Sequence, residues 1–199
     1  MGSALASDQL YVRETVRHSV KILIAGHFAV GKTTIVGALS EIRPLRTEEQ
    51  MTQAGESVDD PSGVPGKTTT TVAMDFGRLT LSDDLVLYLF GAPGQERFKQ
   101  MWNDLARGAL GALVLADTRR IEESFDVMTL LEERGLPYAV AINQFDGAPV
   151  FPEDELREAL DLLPATPLVR CDARDPVSST RALIALVEYL IESKKRESA

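Results

Sequence analysis

Residues 26–33, with the sequence GHFAVGKT, match the pattern G-x-x-x-x-G-K-[ST] and constrain the fold more than any other part of the chain. They follow an apolar run suited to a buried strand, residues 19–25, and precede a helical stretch from Lys32 to about Ile42. In that context the two glycines let backbone N–H groups curl around a polyphosphate at a helix N-terminus. Lys32 would bring a positive charge to the β- and γ-phosphate oxygens, and the Thr33 hydroxyl would reach Mg²⁺. The motif predicts a nucleoside phosphate site and leaves GTPase, ATPase and small-molecule kinase open.

The chain after this motif alternates strand-like and helix-like units. Apolar patterning predicts a hairpin from strands at about 70–81 and 85–90, and further strands at 111–117, 138–143 and 167–171. Helices are predicted between and after them, at 121–134, 152–163 and 175–194. This order predicts an α/β fold, a single P-loop domain with a mostly parallel, doubly wound sheet and one antiparallel edge hairpin.

One domain accounts for most of the chain. We expect it to span residues 19–194, after a flexible extension at 1–18 and before a short tail at 195–199. Within it, residues 44–67 are rich in Glu, Gln, Asp, Gly and Pro and lack apolar periodicity, which predicts a long loop. Loops of that length are usually functional or disordered, and the flanking motifs favour function.

The composition excludes several classes of protein. The 199 residues carry a net charge of −9, which argues against nucleic acid as a partner because phosphate-backbone binders cluster Lys and Arg. One cysteine cannot form an internal disulfide. The apolar runs are far shorter than the roughly 18 residues that cross a bilayer, and the carboxyl end has no cysteine for prenylation. We therefore expect a cytoplasmic protein with no direct membrane anchor, which could reach a membrane only through partners.

The order of the motifs along the chain favours a GTPase over an ATPase or a small-molecule kinase. A run of four threonines at 68–71 opens the hairpin, PGQERF follows the next strand at 93–98, and NQFD follows another at 143–146. This order resembles the small GTPases of the Ras superfamily. More narrowly, it resembles the bacterial Ras-like GTPases of the conservon type, which are related to those of bacterial polarity and gliding systems. The resemblance covers about residues 19–192.

The resemblance implies a role for each matching residue. Gln95 would be the catalytic residue that orients the attacking water, and Thr33 and Thr71 would bind Mg²⁺. Asp146 would accept hydrogen bonds from guanine N1–H and the amino group, contacts that adenine does not offer. The residues assigned to nucleotide binding are Gly26, Phe28, Ala29, Val30, Gly31, Lys32, Thr33, Thr34, Gly94, Asn143, Gln144, Asp146, Asp172, Ala173 and Arg174.

Three positions depart from the family pattern. Gly91 stands where an acidic residue usually holds a Mg²⁺-bound water, so that carboxylate is missing, and Asp75, Asp117 or water alone could compensate. Gln144 replaces a lysine that packs across the base, which predicts weaker nucleotide binding. Phe28 replaces a small residue near the γ-phosphate, where a ring would crowd an arginine supplied by a partner.

The family implies a Mg²⁺-dependent switch that binds GTP and GDP and hydrolyses GTP slowly. A Roadblock-type protein and a sensor kinase-like complex would be its partners by the same resemblance. Gly91 and Phe28 favour an alternative, an adaptor that binds GDP or GTP with little or no hydrolysis. An ATPase or P-loop kinase is a third reading, which Asp146 disfavours.

Overall fold

The computed structural model describes residues 12, 14–52, 69–93 and 99–197, which form one seven-stranded sheet with helices on both faces. The strands are β1 His18–Ala25, β2 Leu45–Thr52, β3 Thr69–Thr80, β4 Leu85–Gly91, β5 Ala109–Ala116, β6 Tyr138–Asn143 and β7 Leu168–Cys171. The helices are α1 Lys32–Leu39, α2 Lys99–Ala106, α3 Phe125–Glu132, α4 Glu153–Ala159 and α5 Pro176–Glu197, and a 3₁₀ turn at Ile121–Ser124 precedes α3.

The sheet has the order β2-β3-β4-β1-β5-β6-β7. The five strands from β4 through β1, β5 and β6 to β7 run parallel to one another, whereas β3 is antiparallel to both β2 and β4. The predicted fold class, a single mostly parallel α/β domain with an antiparallel hairpin, is confirmed. Within the described residues, no helix is long and apolar enough to span a membrane.

One sequence prediction about the fold is wrong. Residues 44–67 were expected to be loop throughout, but Leu45–Thr52 forms strand β2, paired with β3 from Leu45 opposite Phe76 to Thr52 opposite Thr69. The sequence of β2, LRTEEQMT, has no alternating apolar pattern, and the strand lies at the edge of the sheet. Backbone pairing with β3 alone builds this strand. Residues 53–68 lie outside the described part of the chain.

The core lies on both faces of the sheet. On one face, Ile35 and Val36 of α1 and Leu183 and Leu186 of α5 pack with the strands, and all four are at most 2% exposed. On the other face, a second cluster joins α2, α3 and α4 to the strands through buried residues that include Trp102, Val127, Leu131 and Leu156. Strand β6 is buried at every residue, as expected for a parallel strand covered on both sides.

This layering puts the carboxyl ends of β1, β4, β5 and β6 at one edge of the sheet. The loops that leave that edge carry residues 26–31, 92–93, 117–120 and 144–147. Ligands of open α/β sheets bind at this edge, where the strand order reverses on either side of β1. The predicted phosphate and base motifs therefore meet in one place.

Candidate functional site

The loop between β1 and α1 is shaped by two glycines. Gly26 has φ +136° and Gly31 has φ +108°, conformations that side chains rarely adopt. A Cβ atom on Gly26 would lie 2.5 Å from the Leu115 carbonyl oxygen, and one on Gly31 would lie 2.6 Å from Asn143 Nδ2. Both positions therefore require glycine, because the loop passes directly over β5 and β6.

A cavity of about 300 Å³ opens beside this loop. The ammonium of Lys32 donates to the carbonyl oxygens of Gly26 at 2.8 Å and His27 at 2.6 Å. Burial lowers the pKa of Lys32 to about 8, although the charge of Asp75 opposes that shift. The cavity is lined by Phe28, Ala29, Gly31, Lys32, Thr33, Thr34, Asp75, Gly91, Ala92 and Pro93.

Asp75 is the carboxylate of this cavity. It comes from β3, is 8% exposed, and accepts a 2.5 Å hydrogen bond from Thr33 Oγ1. In the sheet register it lies opposite Gly91, and a Cβ on Gly91 would be 3.1 Å from Asp75 Cβ and 3.4 Å from its Oδ2. Asp75 therefore covers the space that a side chain at position 91 would need.

Asn143 joins the phosphate loop to the loops after β6 and β7. Its side chain is buried, with Nδ2 donating to the Val30 carbonyl oxygen at 2.8 Å and Oδ1 accepting from the Ala173 N–H at 3.0 Å. Gln144 extends this junction, because its backbone N–H donates to the Cys171 carbonyl oxygen at 2.7 Å. The three loops predicted to bind phosphate and base are thus held together by one amide side chain.

Beyond this junction, two acidic residues share one arginine. The guanidinium of Arg174 contacts Asp172 at 3.0 Å from both Nε and Nη2, and it contacts Asp146 at 3.3 Å from both Nη1 and Nη2. The hydrogen bonds from Arg174 hold the pKa of Asp172 below its usual value. The side chain of Asp146 is 89% exposed, so it faces solvent beside the Asn143 junction.

The sequence assigns no site role to His27, but its side chain contacts the backbone of the phosphate loop. The imidazole is 3% exposed, with Nδ1 2.8 Å from the Phe28 carbonyl oxygen, which Arg120 Nη2 also approaches at 3.4 Å. Because the peptide unit is planar and trans, anchoring this carbonyl turns the Ala29 N–H to the opposite side. His27 Nε2 is buried, and it has no hydrogen-bond partner among the described residues.

Both acidic and basic side chains lie near His27. Arg120, Glu123 and Lys32 influence its titration, and Asp117 is electrostatically coupled to it. Burial has the largest effect and lowers the pKa of His27 below its ordinary value. The imidazole is therefore neutral at neutral pH, with Nδ1 as the protonated donor to Phe28.

Asp117, like Asp75, is a buried carboxylate near this edge of the sheet. It is fully buried and bound by Arg119, whose Nη2 lies 2.7 Å from Oδ2. Burial opposes its ionisation, but hydrogen bonds from Arg119 outweigh this and lower the pKa of Asp117. The same guanidinium lies 4.1 Å from the centre of the Phe145 ring, within the NQFD segment. Of the two carboxylates proposed to compensate for Gly91, Asp75 contacts Thr33 and Asp117 is engaged by Arg119.

The structure does not bring every predicted residue to the cavity. Gly94 and Gln95 lie outside the described part of the chain. Thr71 lies in β3 opposite Gln50, four positions before Asp75, which is about 13 Å along the strand at roughly 3.3 Å per residue. The roles assigned to these three residues remain predictions.

Comparison with known proteins identifies a family and a fold. A family model described as "conserved hypothetical ATP binding protein" matches residues 24–193. No curated protein matches the chain.

Among solved structures, the G domain of the T. maritima FeoB iron transporter superposes with a TM-score of 0.59 at 22% identity, covering 86% of this chain and 99% of that one. The FeoB G domain of Methanococcus jannaschii gives 0.57 at 17% identity, covering 86% and 97%. The elongation factor SelB of Methanococcus maripaludis, in complex with the GTP analogue GPPNHP, gives 0.56 at 17% identity, covering 87% of this chain and 34% of that one. These likenesses establish that the chain has the fold of a G domain.

Proposed function

Since the chain belongs to the family of conserved hypothetical ATP binding proteins, we propose that it is a P-loop nucleotide-binding protein that selects guanine over adenine and hydrolyses GTP to GDP and phosphate. The family description mentions ATP, so the selection of guanine over adenine has to be argued from the residues of the site.

The main support for the proposal comes from the two hydrogen bonds of the Asn143 side chain. By bonding both Val30 and Ala173, Asn143 holds the Asp146 loop and the Ala173 loop against the phosphate loop. A base attached to phosphates in that loop would meet Asp146, a carboxylate that accepts hydrogen bonds only. Guanine offers two donors there, N1–H and its amino group, whereas adenine offers an acceptor at N1. An adenine in this position would make neither of these hydrogen bonds and would turn its N1 lone pair toward the carboxylate, which disfavours ATP relative to GTP.

The oxygen donors at the cavity fit Mg²⁺. The Thr33 hydroxyl and the Asp75 carboxylate lie within hydrogen-bond distance of each other, and oxygen ligands of this kind suit a hard divalent cation. We propose that Thr33 holds the ion and that Asp75 holds its bound water, in place of the missing acidic residue at Gly91. The ion would neutralise charge on the phosphate oxygens. Lys32 and the backbone N–H groups of the loop would add positive charge to the same oxygens, and Gln95 would orient the attacking water.

A chain with these parts would act as a slow switch. Intrinsic hydrolysis in this fold, without an arginine from a partner, is of the order of 10⁻⁴ to 10⁻² s⁻¹. The two segments expected to respond to the γ-phosphate are residues 44–71 and 91–107. By resemblance, a Roadblock-type protein and a sensor kinase-like complex are the proposed partners, in the cytoplasm or at a membrane reached through them.

An adaptor that holds GDP or GTP without turning it over is the second candidate. Phe28 favours it, because this side chain lines the phosphate cavity while remaining 63% exposed. A ring in that place leaves little room for an arginine from an activating protein.

The first test is to identify the nucleotide that purified protein releases on heating, followed by competition between GTP and ATP. An Asp146→Asn variant sharpens it, since asparagine offers one acceptor and one donor, which match xanthine rather than guanine. We expect this variant to prefer xanthosine nucleotides, while Asp104→Asn, at another exposed aspartate, keeps the wild-type preference. Release of adenine nucleotide, or an unchanged preference in Asp146→Asn, would contradict guanine selection.

Hydrolysis is tested separately by single-turnover measurements with Mg²⁺ over hours. We expect slow GTP turnover that Gln95→Ala abolishes. Guanine binding with no turnover in the wild-type protein would favour the adaptor.

A further inference from the structure

The carboxylate proposed to read the base is engaged by a side chain of the same molecule. Arg174 Nη1 lies 3.3 Å from Asp146 Oδ2, and Arg174 Nη2 lies 3.3 Å from Asp146 Oδ1. Each carboxylate oxygen of Asp146 therefore faces a different N–H group of one planar guanidinium. This two-donor arrangement is the usual geometry of an arginine on a carboxylate.

Guanine presents the same chemical unit. Its N1–H, C2 and amino group form a guanidine within the ring, with two N–H donors that point in the same direction. A carboxylate that accepts both donors of the base uses both of its oxygens. The guanidinium of Arg174 and the edge of guanine would therefore occupy the same two oxygens of Asp146.

The two contacts of Arg174 differ in strength. Asp172 is bound at 3.0 Å by both Nε and Nη2, and its Oδ1 also accepts the backbone N–H of Arg174 at 2.9 Å. The 3.3 Å contacts to Asp146 are longer than the usual 2.7–2.9 Å of charge-assisted hydrogen bonds. Asp172 therefore fixes the arginine beside the site, while its contact with Asp146 is the one that yields to a ligand.

We propose that Arg174 is an internal competitor of guanine, a specificity-determining residue that pairs with the base-reading carboxylate Asp146 until a guanine nucleotide displaces it. This inference rests on the proposed function, since it requires that Asp146 binds guanine. When the base enters, Arg174 stays on Asp172 at the rim of the site. The competition lowers the rate and affinity of guanine binding, and leaves adenine nucleotides unaffected because they make no use of Asp146.

The expected gain in GDP affinity depends on how exposed the side chains of Arg174 and Asp146 are. The side chains of Arg174 and Asp146 are 59% and 89% exposed, so solvent screens their attraction. An exposed ion pair of this kind changes an equilibrium about 1.5- to 5-fold. We expect Arg174→Met to bind GDP about 1.5- to 5-fold more tightly, through faster association.

The experiment follows association and dissociation of fluorescently labelled GDP and ADP by stopped flow, on nucleotide-free protein at low salt. The matched control is Arg107→Met, at another exposed arginine whose ion pair with Asp104 lies elsewhere on the surface. Faster and tighter GDP binding in Arg174→Met, with Arg107→Met unchanged, would support the competition. Arg174→Met with unchanged or weaker GDP binding would overturn it.

A double variant separates this inference from the proposed function. In an Asp146→Asn background, Arg174→Met should give no gain for GDP, because the shared carboxylate is gone. If Asp146→Asn itself leaves the preference for GDP over ADP intact, then the proposed guanine site is wrong and the competition fails with it. If Asp146→Asn removes that preference while Arg174→Met equals wild type, only the competition is refuted.

Discussion

Replacing Asn143 by alanine tests the central contact of the site. The side chain is 5% exposed and satisfies two backbone groups in other loops, the Val30 carbonyl at 2.8 Å and the Ala173 N–H at 3.0 Å. Both of these residues are at most 1% exposed. Alanine would remove both hydrogen bonds and leave a buried acceptor and a buried donor without their partner.

The cost follows from those two groups. A buried backbone group that loses its hydrogen bond costs about 1–3 kcal/mol, so Asn143→Ala should destabilise the fold by about 2–6 kcal/mol. For a domain of this length, each 1 kcal/mol lowers the Tm by roughly 2–4 °C. We therefore expect the Tm to fall by about 4–24 °C.

The assay is urea unfolding together with thermal melts, with and without GDP. Asn103→Ala is the matched control, because Asn103 is exposed and accepts a single 2.8 Å hydrogen bond from Arg134; it should stay within about 0.5 kcal/mol of wild type. If the proposed site binds GDP, we expect GDP to raise the Tm of wild type through linkage, and Asn143→Ala should lose most of that rise. A loss of stability no larger than that of Asn103→Ala would refute the reasoning that this amide holds the three loops together.

Three further outcomes follow from the site. Asp75→Asn should weaken Mg²⁺-dependent GTP binding about 10- to 100-fold, the usual effect of losing a group that holds a metal-bound water, and a Mg²⁺ titration with Asp104→Asn as control checks this. Phe28→Ala should leave stability within about 0.5 kcal/mol because the ring is largely exposed, but should raise single-turnover GTP hydrolysis when an activating partner is present; an unchanged rate would contradict crowding by the ring. Because burial lowers the pKa of His27, the unfolded chain takes up its proton first as the pH falls below about 6.5, so stability present above that pH is lost as the pH falls further, with a slope of at most about 1.4 kcal/mol per pH unit. Urea unfolding at pH 7.5, 6.5 and 5.5 should give a smaller loss for His27→Gln than for wild type, and the exposed His18→Gln should match wild type.

The phosphate loop could be predicted from the sequence because its geometry is set locally. Two glycines, a lysine and a threonine at fixed spacing, placed between a buried strand and a helix, determine which backbone groups line the loop. The parallel strands could be predicted equally well, since β5 and β6 are continuous apolar runs that a sheet covered on both faces can bury.

The contacts between distant segments could not be predicted in this way. Strand β2 has no apolar periodicity, and its pairing with β3 is a matter of backbone hydrogen bonds at a sheet edge, which leave no pattern in the side chains. The Arg174 contact with Asp146 joins residues 28 positions apart, and nothing local in either loop signals it. Nothing in the sequence signals the burial of His27, because that burial depends on the loop packing near Arg120 and Glu123.

The register of the sheet supports the proposal that Asp75 compensates for the missing acidic residue at Gly91. In an antiparallel pair, directly opposed residues project from the same face, with Cβ atoms about 4.5–5.5 Å apart. Asp75 and Gly91 are opposed in β3 and β4, so a carboxylate on either strand can reach the same space beside Thr33. Two carboxylates could not share that space without repulsion and crowding, since a Cβ on Gly91 would already be 3.1 Å from Asp75 Cβ. The absence of a side chain at Gly91 therefore leaves room for Asp75, whose carboxylate supplies one negative charge beside Thr33 from the neighbouring strand.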